Sequence, residues 1–203
     1  MSKISQYVAV LLLLAALIGA GVLTLLVRHG FSARDEPWGV EAFVARRLRL
    51  LAIPAAAREM NNPIALTSEI VADGRAHFAD HCASCHANDG SGQTSLGRNL
   101  YPPAPDMRKQ RTQSLTDGEL FYIIHNGIRF TGMPAWGGQD ADEDAESWKL
   151  VHFIRYLPEI NEDELAEMEK LNPKSRKEVE EEEAMRKFLE GGRFEEPHSG
   201  HQH

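Results

Sequence analysis

Apolar and polar positions divide the chain into regions of different character, and the first region is almost wholly apolar. Residues 4–27 carry no charged side chain, and the apolar run from Tyr7 to Val27 is nearly unbroken. At about 1.5 Å per helical residue, such a run can cross a hydrocarbon core of about 30 Å. The pattern therefore predicts a membrane anchor over residues 1–30. The alternative is a cleaved signal peptide, whose apolar part is usually shorter, about 7–15 residues.

Residues 31–66 are predicted to form a connector with one amphipathic helix. The segment from Glu41 to Ile53 has helical spacing, with apolar side chains on one face and arginines on others. Two interpretations of this helix stay open. It packs on the domain that follows, or it lies on the membrane surface with Trp38 and its arginines at headgroup level. Residues 55–63 have the composition of an irregular spacer.

Residues 67–158 read as an all-α domain, because no stretch alternates as a strand would. Thr67 is a candidate N-cap for the first helix. Thr116 and Glu119 have the spacing of a capping box, and the helix that they begin is expected to stop at Gly127. A last apolar helix completes this region.

The stretch Cys82-Ala83-Ser84-Cys85-His86 carries the strongest chemical signal, because C-x-x-C-H is the spacing of a c-type haem attachment site. Two thiols at this spacing can each form a thioether to one haem, and the adjacent imidazole can then bind the iron. A thioredoxin-like redox pair would need a βαβ pattern, and a zinc site would need more soft ligands. The chain has no other cysteine. One covalent haem c is therefore predicted.

Met133 is the candidate for the second axial position of the iron. It lies in Gly132-Met133-Pro134, a loop sequence outside any apolar period. A thioether is a soft, neutral ligand, and a His/Met pair raises the reduction potential of a haem. The alternative is a methionine that only fills a gap in the core. Weaker candidates for the same position are His77, His81, His125, His152, Met60 and Met107.

These motifs together resemble the class I cytochromes c, most closely the monohaem domains of the cytochrome oxidase subunit III type. The resemblance rests on the C-x-x-C-H helix, Gly90-Ser91-Gly92, the Gly-Met-Pro loop and the final helix, and it covers about residues 67–158. It implies an all-α class I cytochrome c fold around one haem. By this resemblance Cys82 and Cys85 attach the haem, while His86 and Met133 are its axial ligands.

The resemblance implies further contacts within the domain. Gly74 and Phe78 of the first helix are expected to pack against Leu150 and Phe153 of the last. A proline carbonyl in the run 101–105 is expected to accept a hydrogen bond from the His86 ring. Cations of the adjacent loop are typical of a solvated face, with a haem propionate as the alternative partner: Arg98, Arg108, Lys109 and Arg111.

Residues 159–203 form an acidic region, with 14 acidic and 7 basic side chains in a chain of net charge −8. Two charged helices separated by Pro173 are predicted, as a solvated helical extension or as a docking arm for a basic or helical partner. Nucleic acid is disfavoured, because phosphate contacts need a basic face. His198, His201 and His203 are candidates for weak copper or zinc binding, with adventitious binding as the alternative.

The combined prediction is a membrane-anchored monohaem cytochrome c that carries single electrons between respiratory-type redox partners and is not an enzyme. The haem domain is expected on the periplasmic side of a bacterial inner membrane. One alternative is a haem subunit of a larger membrane oxidase or dehydrogenase. Another is a redox or gas sensor, in which Met133 leaves the iron to admit a ligand.

Overall fold

Helices and loops make up the described part of the chain, which in this computed structural model comprises residues 3–30, 32–138, 141–174 and 176–189. No strand occurs in these ranges, so the predicted all-α class is confirmed. The chain divides into two units, Met1–Glu36 and Pro37–His203. The first contains α1 (Lys3–His29), which is long and apolar enough to cross a membrane, although a signal sequence passes the same test.

The second unit contains the remaining helices. In chain order they are α2 (Gly39–Ala52), α3 (Ala55–Arg58), α4 (Ser68–His77), α5 (Ala83–His86), α6 (Ser95–Arg98), α7 (Gln110–Gln113), α8 (Asp117–Asn126), α9 (Ala141–Tyr156), α10 (Glu162–Glu169) and α11 (Arg176–Leu189). A π-helical turn, Phe78–Cys82, joins α4 to α5, and a 3₁₀ turn, Leu157–Glu159, follows α9.

The core is built on a close crossing of α4 and α9. Gly74 lies so near the Lys149 carbonyl that any side-chain carbon there would clash with it. One turn further on, the rings of Phe78 and Phe153 pack with their centroids 5.1 Å apart. Phe78, Phe153 and Leu150 are almost completely buried. The resemblance implies the contacts of Gly74 and Phe78 with Phe153, and Leu150 lies in the same buried core.

Helix α8 begins and ends where the sequence predicts. The Thr116 hydroxyl accepts a hydrogen bond from the Glu119 amide (3.1 Å), and the Glu119 carboxylate accepts one from the Thr116 amide (2.9 Å). At its other end Gly127 has a φ of 63°, the left-handed conformation that favours glycine. The buried face of α8 stacks Phe121 on Trp148 of α9, with ring centroids 4.1 Å apart.

The segment before α4 is helical in its first part, so the irregular spacer predicted over residues 55–63 is correct only for residues 59–63. It contains α3, whose Ala57 is buried and whose backbone packs directly against Gly118 of α8. The Asn62 amide then donates a hydrogen bond to the Trp148 carbonyl (2.9 Å). The prediction was wrong for α3 because three alanines give no amphipathic signal, although their small side chains permit close backbone packing.

Helix α2 packs on the same unit through one face. Its Glu41 carboxylate accepts a hydrogen bond from the Tyr101 hydroxyl (2.5 Å), and Arg58 donates to the Leu50 carbonyl near its other end. These contacts support the packing interpretation for this face. The opposite face exposes large apolar side chains, for which the membrane-surface interpretation remains a prediction: Val40, Phe43, Val44, Leu48 and Leu51.

Helix α10 belongs to the core, contrary to the expectation of a solvated extension from residue 159. Met168 is fully buried, and Leu165 packs against the core. The Glu164 carboxylate accepts hydrogen bonds from Arg75 of α4 (2.6 Å) and from the Tyr156 hydroxyl (2.9 Å). The acidic composition did not predict this contact, because one buried methionine among charged residues gives only a weak amphipathic pattern.

Replacing Met168 by alanine is expected to lower the free energy of unfolding by about 2–5 kcal/mol, because a fully buried side chain would leave a cavity. Thermal or denaturant unfolding of the haem-loaded protein measures this loss. Met185→Ala on α11 is the matched control, since Met185 is half exposed and surface substitutions usually cost under about 0.5 kcal/mol. Equal effects of the two substitutions would contradict the placement of α10 in the core.

Candidate haem site

The C-x-x-C-H motif lies at the end of a nearly continuous helix that runs from α4 through a π turn into α5. The π turn, Phe78–Cys82, widens the helix just where Cys82 is reached. Wide turns of this kind re-aim side chains and are frequent at functional sites. The close packing of Gly74 on α9 fixes the position of α4. The helix that continues from α4 carries Cys82, Cys85 and His86.

The two thiols are not joined to each other. Burial raises the pKa of Cys82 to about 12, and the neighbouring Cys85 adds to the effect. A reactive redox pair instead requires a lowered thiol pKa. The raised pKa of Cys82 therefore argues against a thioredoxin-like redox pair. The zinc reading also lacks support, because the described residues contain no cluster of three or more metal-binding side chains.

His86 is buried and uncharged at neutral pH. Burial lowers the pKa of its ring to about 4, and the nearby Pro105 carbonyl offsets only part of this effect. Nδ1 is buried without a partner at hydrogen-bonding geometry, so the ring faces the Pro105 carbonyl without completing a hydrogen bond to it. With Nδ1 directed at a backbone carbonyl, Nε2 is the nitrogen of this neutral imidazole that can bind a metal ion.

A glycine-rich turn holds Pro105 in front of His86. The Ala104 amide donates to the Gly97 carbonyl (2.9 Å), and the Met107 amide donates to the Gly90 carbonyl (2.8 Å). These two hydrogen bonds flank Pro105 and fix its place. The same turn is tied to the motif itself, because the amide of Gly92 donates to the His86 carbonyl (2.8 Å).

Met133 lies on a loop that is closed by hydrogen bonds between its own residues. The Met133 carbonyl accepts from the Ile128 amide (3.1 Å), and the Met133 amide donates to the Thr131 hydroxyl (3.1 Å). Gly127 fits directly against the backbone of residues 133–135, where a side chain would clash. Leu100 packs against the loop at Gly132. The Met133 side chain is itself half-buried.

Trp136 brings this loop next to the C-x-x-C-H helix. Its ring lies edge-on to the ring of His81, with centroids 5.5 Å apart, and its backbone amide donates to the Ile124 carbonyl (3.1 Å). His81 directly precedes Cys82 in the chain. The structure therefore brings the predicted methionine loop and the predicted attachment motif into one region of the fold.

The rival candidates have other surroundings in the structure, and among them Met60 is exposed. Met107 is buried in the core, and His152 Nε2 lies 2.8 Å from the Ile64 carbonyl. Each of the other three histidines has a carboxylate within 3.3 Å, which gives these pairs: His77 with Glu146, His81 with Asp80, and His125 with Asp144. His198, His201 and His203, the candidates for copper or zinc binding, lie outside the described residues.

The donor set fits a haem c. Two unpaired cysteines, a buried neutral histidine whose Nδ1 faces a carbonyl, and a half-buried thioether on a hydrogen-bonded loop are what such a group requires. Sequence reasoning left open which proline faces His86 and did not find the role of Thr131. A Thr-x-Met spacing is too short and too common to serve as a signal.

Comparison with known families agrees with this chemistry. Residues 69–154 match the family model described as "Cytochrome C oxidase, cbb3-type, subunit III". The match covers less than half of the chain and includes the attachment motif, the glycine-rich turn, the Met133 loop and most of α9. The matched segment and the apolar α1 together fit a membrane-anchored monohaem cytochrome.

Replacing Thr131 by valine is expected to loosen the Met133 loop. The hydroxyl accepts from the Met133 amide and donates to the Ile128 carbonyl (2.8 Å). Loss of about 1 kcal/mol of local stability would speed hydrogen exchange at the Met133 amide about fivefold, measured by NMR on the haem-loaded protein.

Thr67→Val is the matched control for this substitution. It removes a hydroxyl that caps α4, at a cost of similar size, but it should leave Met133 exchange unchanged. Equal acceleration in both variants would indicate global destabilisation and would contradict a local role of Thr131.

Proposed function

We propose that this protein, whose residues 69–154 form a cytochrome c domain of the cbb3-type subunit III kind, is a monohaem electron carrier. Cys82 and Cys85 would attach the haem, and His86 and Met133 would be its axial ligands. The observation that carries the proposal is the C-x-x-C-H motif with a buried, neutral His86 facing the Pro105 carbonyl. A haem held in this way exchanges one electron at a time with other redox centres.

The protein's own residues supply a well-packed support for that exchange. The α4–α9 crossing and the glycine-rich turn hold the His86 side, and the tied loop holds Met133. With two protein ligands, no coordination position is left for a substrate, so electron transfer without catalysis is the proposed role. A neutral imidazole and a thioether favour ferrous iron and a positive reduction potential.

We further propose that α1 anchors the protein in the bacterial inner membrane, with the haem domain on the periplasmic side. The length and apolar character of α1 support the anchor. The side is proposed because c-type haem attachment in cytochromes takes place outside the cytoplasm. An anchored carrier would meet membrane-bound partners at a raised effective concentration.

A second candidate function is that of a haem subunit in a larger membrane oxidase. The name of the matched family, a subunit of a cbb3-type oxidase, favours this candidate. Co-purification of a second haem or copper subunit in mild detergent would support it, and a protein that purifies alone in active form would oppose it.

A redox or gas sensor is the third candidate function. Binding of carbon monoxide to the ferrous protein at neutral pH would support a sensor.

Met133→Ala is expected to leave the haem attached but to lower the reduction potential. Loss of the thioether removes a ligand that favours ferrous iron, so the shift should exceed the roughly 59 mV that correspond to tenfold in a one-electron couple. Potentiometric titration with visible spectra measures the shift, and the sulfur-to-iron band should vanish. Met60→Ala is the control. An unchanged potential and spectrum in Met133→Ala would remove Met133 from the ligand set.

Cys82→Ala and Cys85→Ala are each expected to impair covalent haem retention, because each thiol would supply one thioether. Haem staining after denaturing electrophoresis measures retention. Ser84→Ala, which alters the residue between the two cysteines, should keep full staining. Full staining in either cysteine variant would show that its thiol is not needed for attachment.

A further inference from the structure

Helix α2 turns a basic face toward the loop between Leu100 and Gln113. Near its start, Glu41 is held by the hydroxyl of Tyr101, and near its end the Leu50 carbonyl is held by Arg58. Arg46 and Arg49 are part-buried on the packed face of the helix. This helix lies outside the segment that matches the cytochrome family, and the proposed function gives it no role.

Arg49 is a part-buried cation without a counter-ion among the described residues. Its Nε is inaccessible to solvent and has no hydrogen-bond partner. Among the described residues no carboxylate pairs with Arg49, Arg46 or Arg111. Burial lowers the pKa of Arg49, and the nearby charges of Arg111 and Arg46 lower it further. Arg111 is exposed, so the cost of this cluster falls mainly on the part-buried Arg49, and an anion among the three cations would offset it.

The loop under α2 connects the two sides of the candidate haem site. Leu100, next to Tyr101, packs against Gly132 beside Met133. Pro105, further along the same loop, faces His86, and Arg111 follows in α7. The unpaired arginines therefore lie over a segment whose residues line both sides of the site. The haem of the proposed function carries two propionate carboxylates, which are the anions that this cluster lacks.

We propose that Arg49, together with Arg111, binds a propionate carboxylate of the haem, so that α2 completes the cofactor site. This inference rests on the proposed function. A guanidinium group matches a carboxylate through two parallel hydrogen bonds, and such pairs are strong when shielded from water. Neutralising a propionate also removes a negative charge that would stabilise ferric iron. Arg49 is therefore a positioning residue that raises the reduction potential.

The test is a potentiometric titration of the full-length, haem-loaded protein in detergent at several pH values. Arg49→Gln should lower the midpoint potential by an amount equal to about a tenfold shift toward ferric protein, roughly 59 mV. The midpoint should also become dependent on pH near neutrality, because a propionate without its cation has a higher pKa. Arg49→Lys should restore part of the potential, and Arg111→Gln should give a smaller shift of the same sign.

Arg47→Gln is the matched control, because Arg47 lies on the exposed face of α2 over the ring of Phe43. It should change neither the midpoint nor its pH dependence. A merely structural role of Arg49 would lower the unfolding temperature without creating the pH dependence, and that result would overturn the inference. Should Arg49→Gln fail to fold, an unchanged midpoint in Arg111→Gln overturns it equally.

Failure of the proposed function gives a different result. A wild-type protein without covalent haem would refute both proposals. A wild-type protein with covalent haem and a His/Met spectrum, combined with an Arg49→Gln midpoint equal to that of Arg47→Gln, would refute the propionate contact alone.

Discussion

The crossing of α4 and α9 at Gly74 is the contact on which the rest of the haem domain depends. Only a glycine permits the backbone of α4 to approach the Lys149 carbonyl this closely. The approach brings Phe78 onto Phe153 and sets the direction of the helix that carries the cysteines and His86. The π turn at Phe78–Cys82 then changes the direction in which the following side chains point.

Hydrogen bonds between loops complete the site around this helix. The glycine-rich turn bonds to the backbone of His86 and to Ala104 and Met107 on either side of Pro105, so one short segment positions both the imidazole and the carbonyl that it faces. On the other side, the loop after α8 is closed by Thr131 and Gly127 around Met133. Neither loop has regular secondary structure, and each is held instead by a few specific backbone contacts.

The domain is larger than the segment that carries the family's motifs. Helix α3 packs on Gly118 before the segment begins, and α10 buries Met168 after it ends. Helix α2 adds a basic face over the loop that contains Pro105, and Arg49 on that face pairs with no carboxylate in the described part of the chain. A small helical domain of this size buries little surface by itself. These additions increase the buried surface and, through Arg49, supply charge where the proposed cofactor needs it.

The amino-acid pattern alone predicts the all-α class, the anchor-like first helix, the capping box at Thr116 and the residues of the candidate site. Those features depend on local spacing and on residue chemistry, which a single chain displays directly. The folded structure was needed to show that Pro105 is the proline that faces His86, that Met168 is buried and that Arg49 has no counter-ion among the described residues. Each of these depends on which distant segments meet, as with Met168, whose charged neighbours mask its burial. Composition also failed to predict helix α3 within residues 55–63. Its alanines pack through their backbone, so they give no periodic apolar pattern.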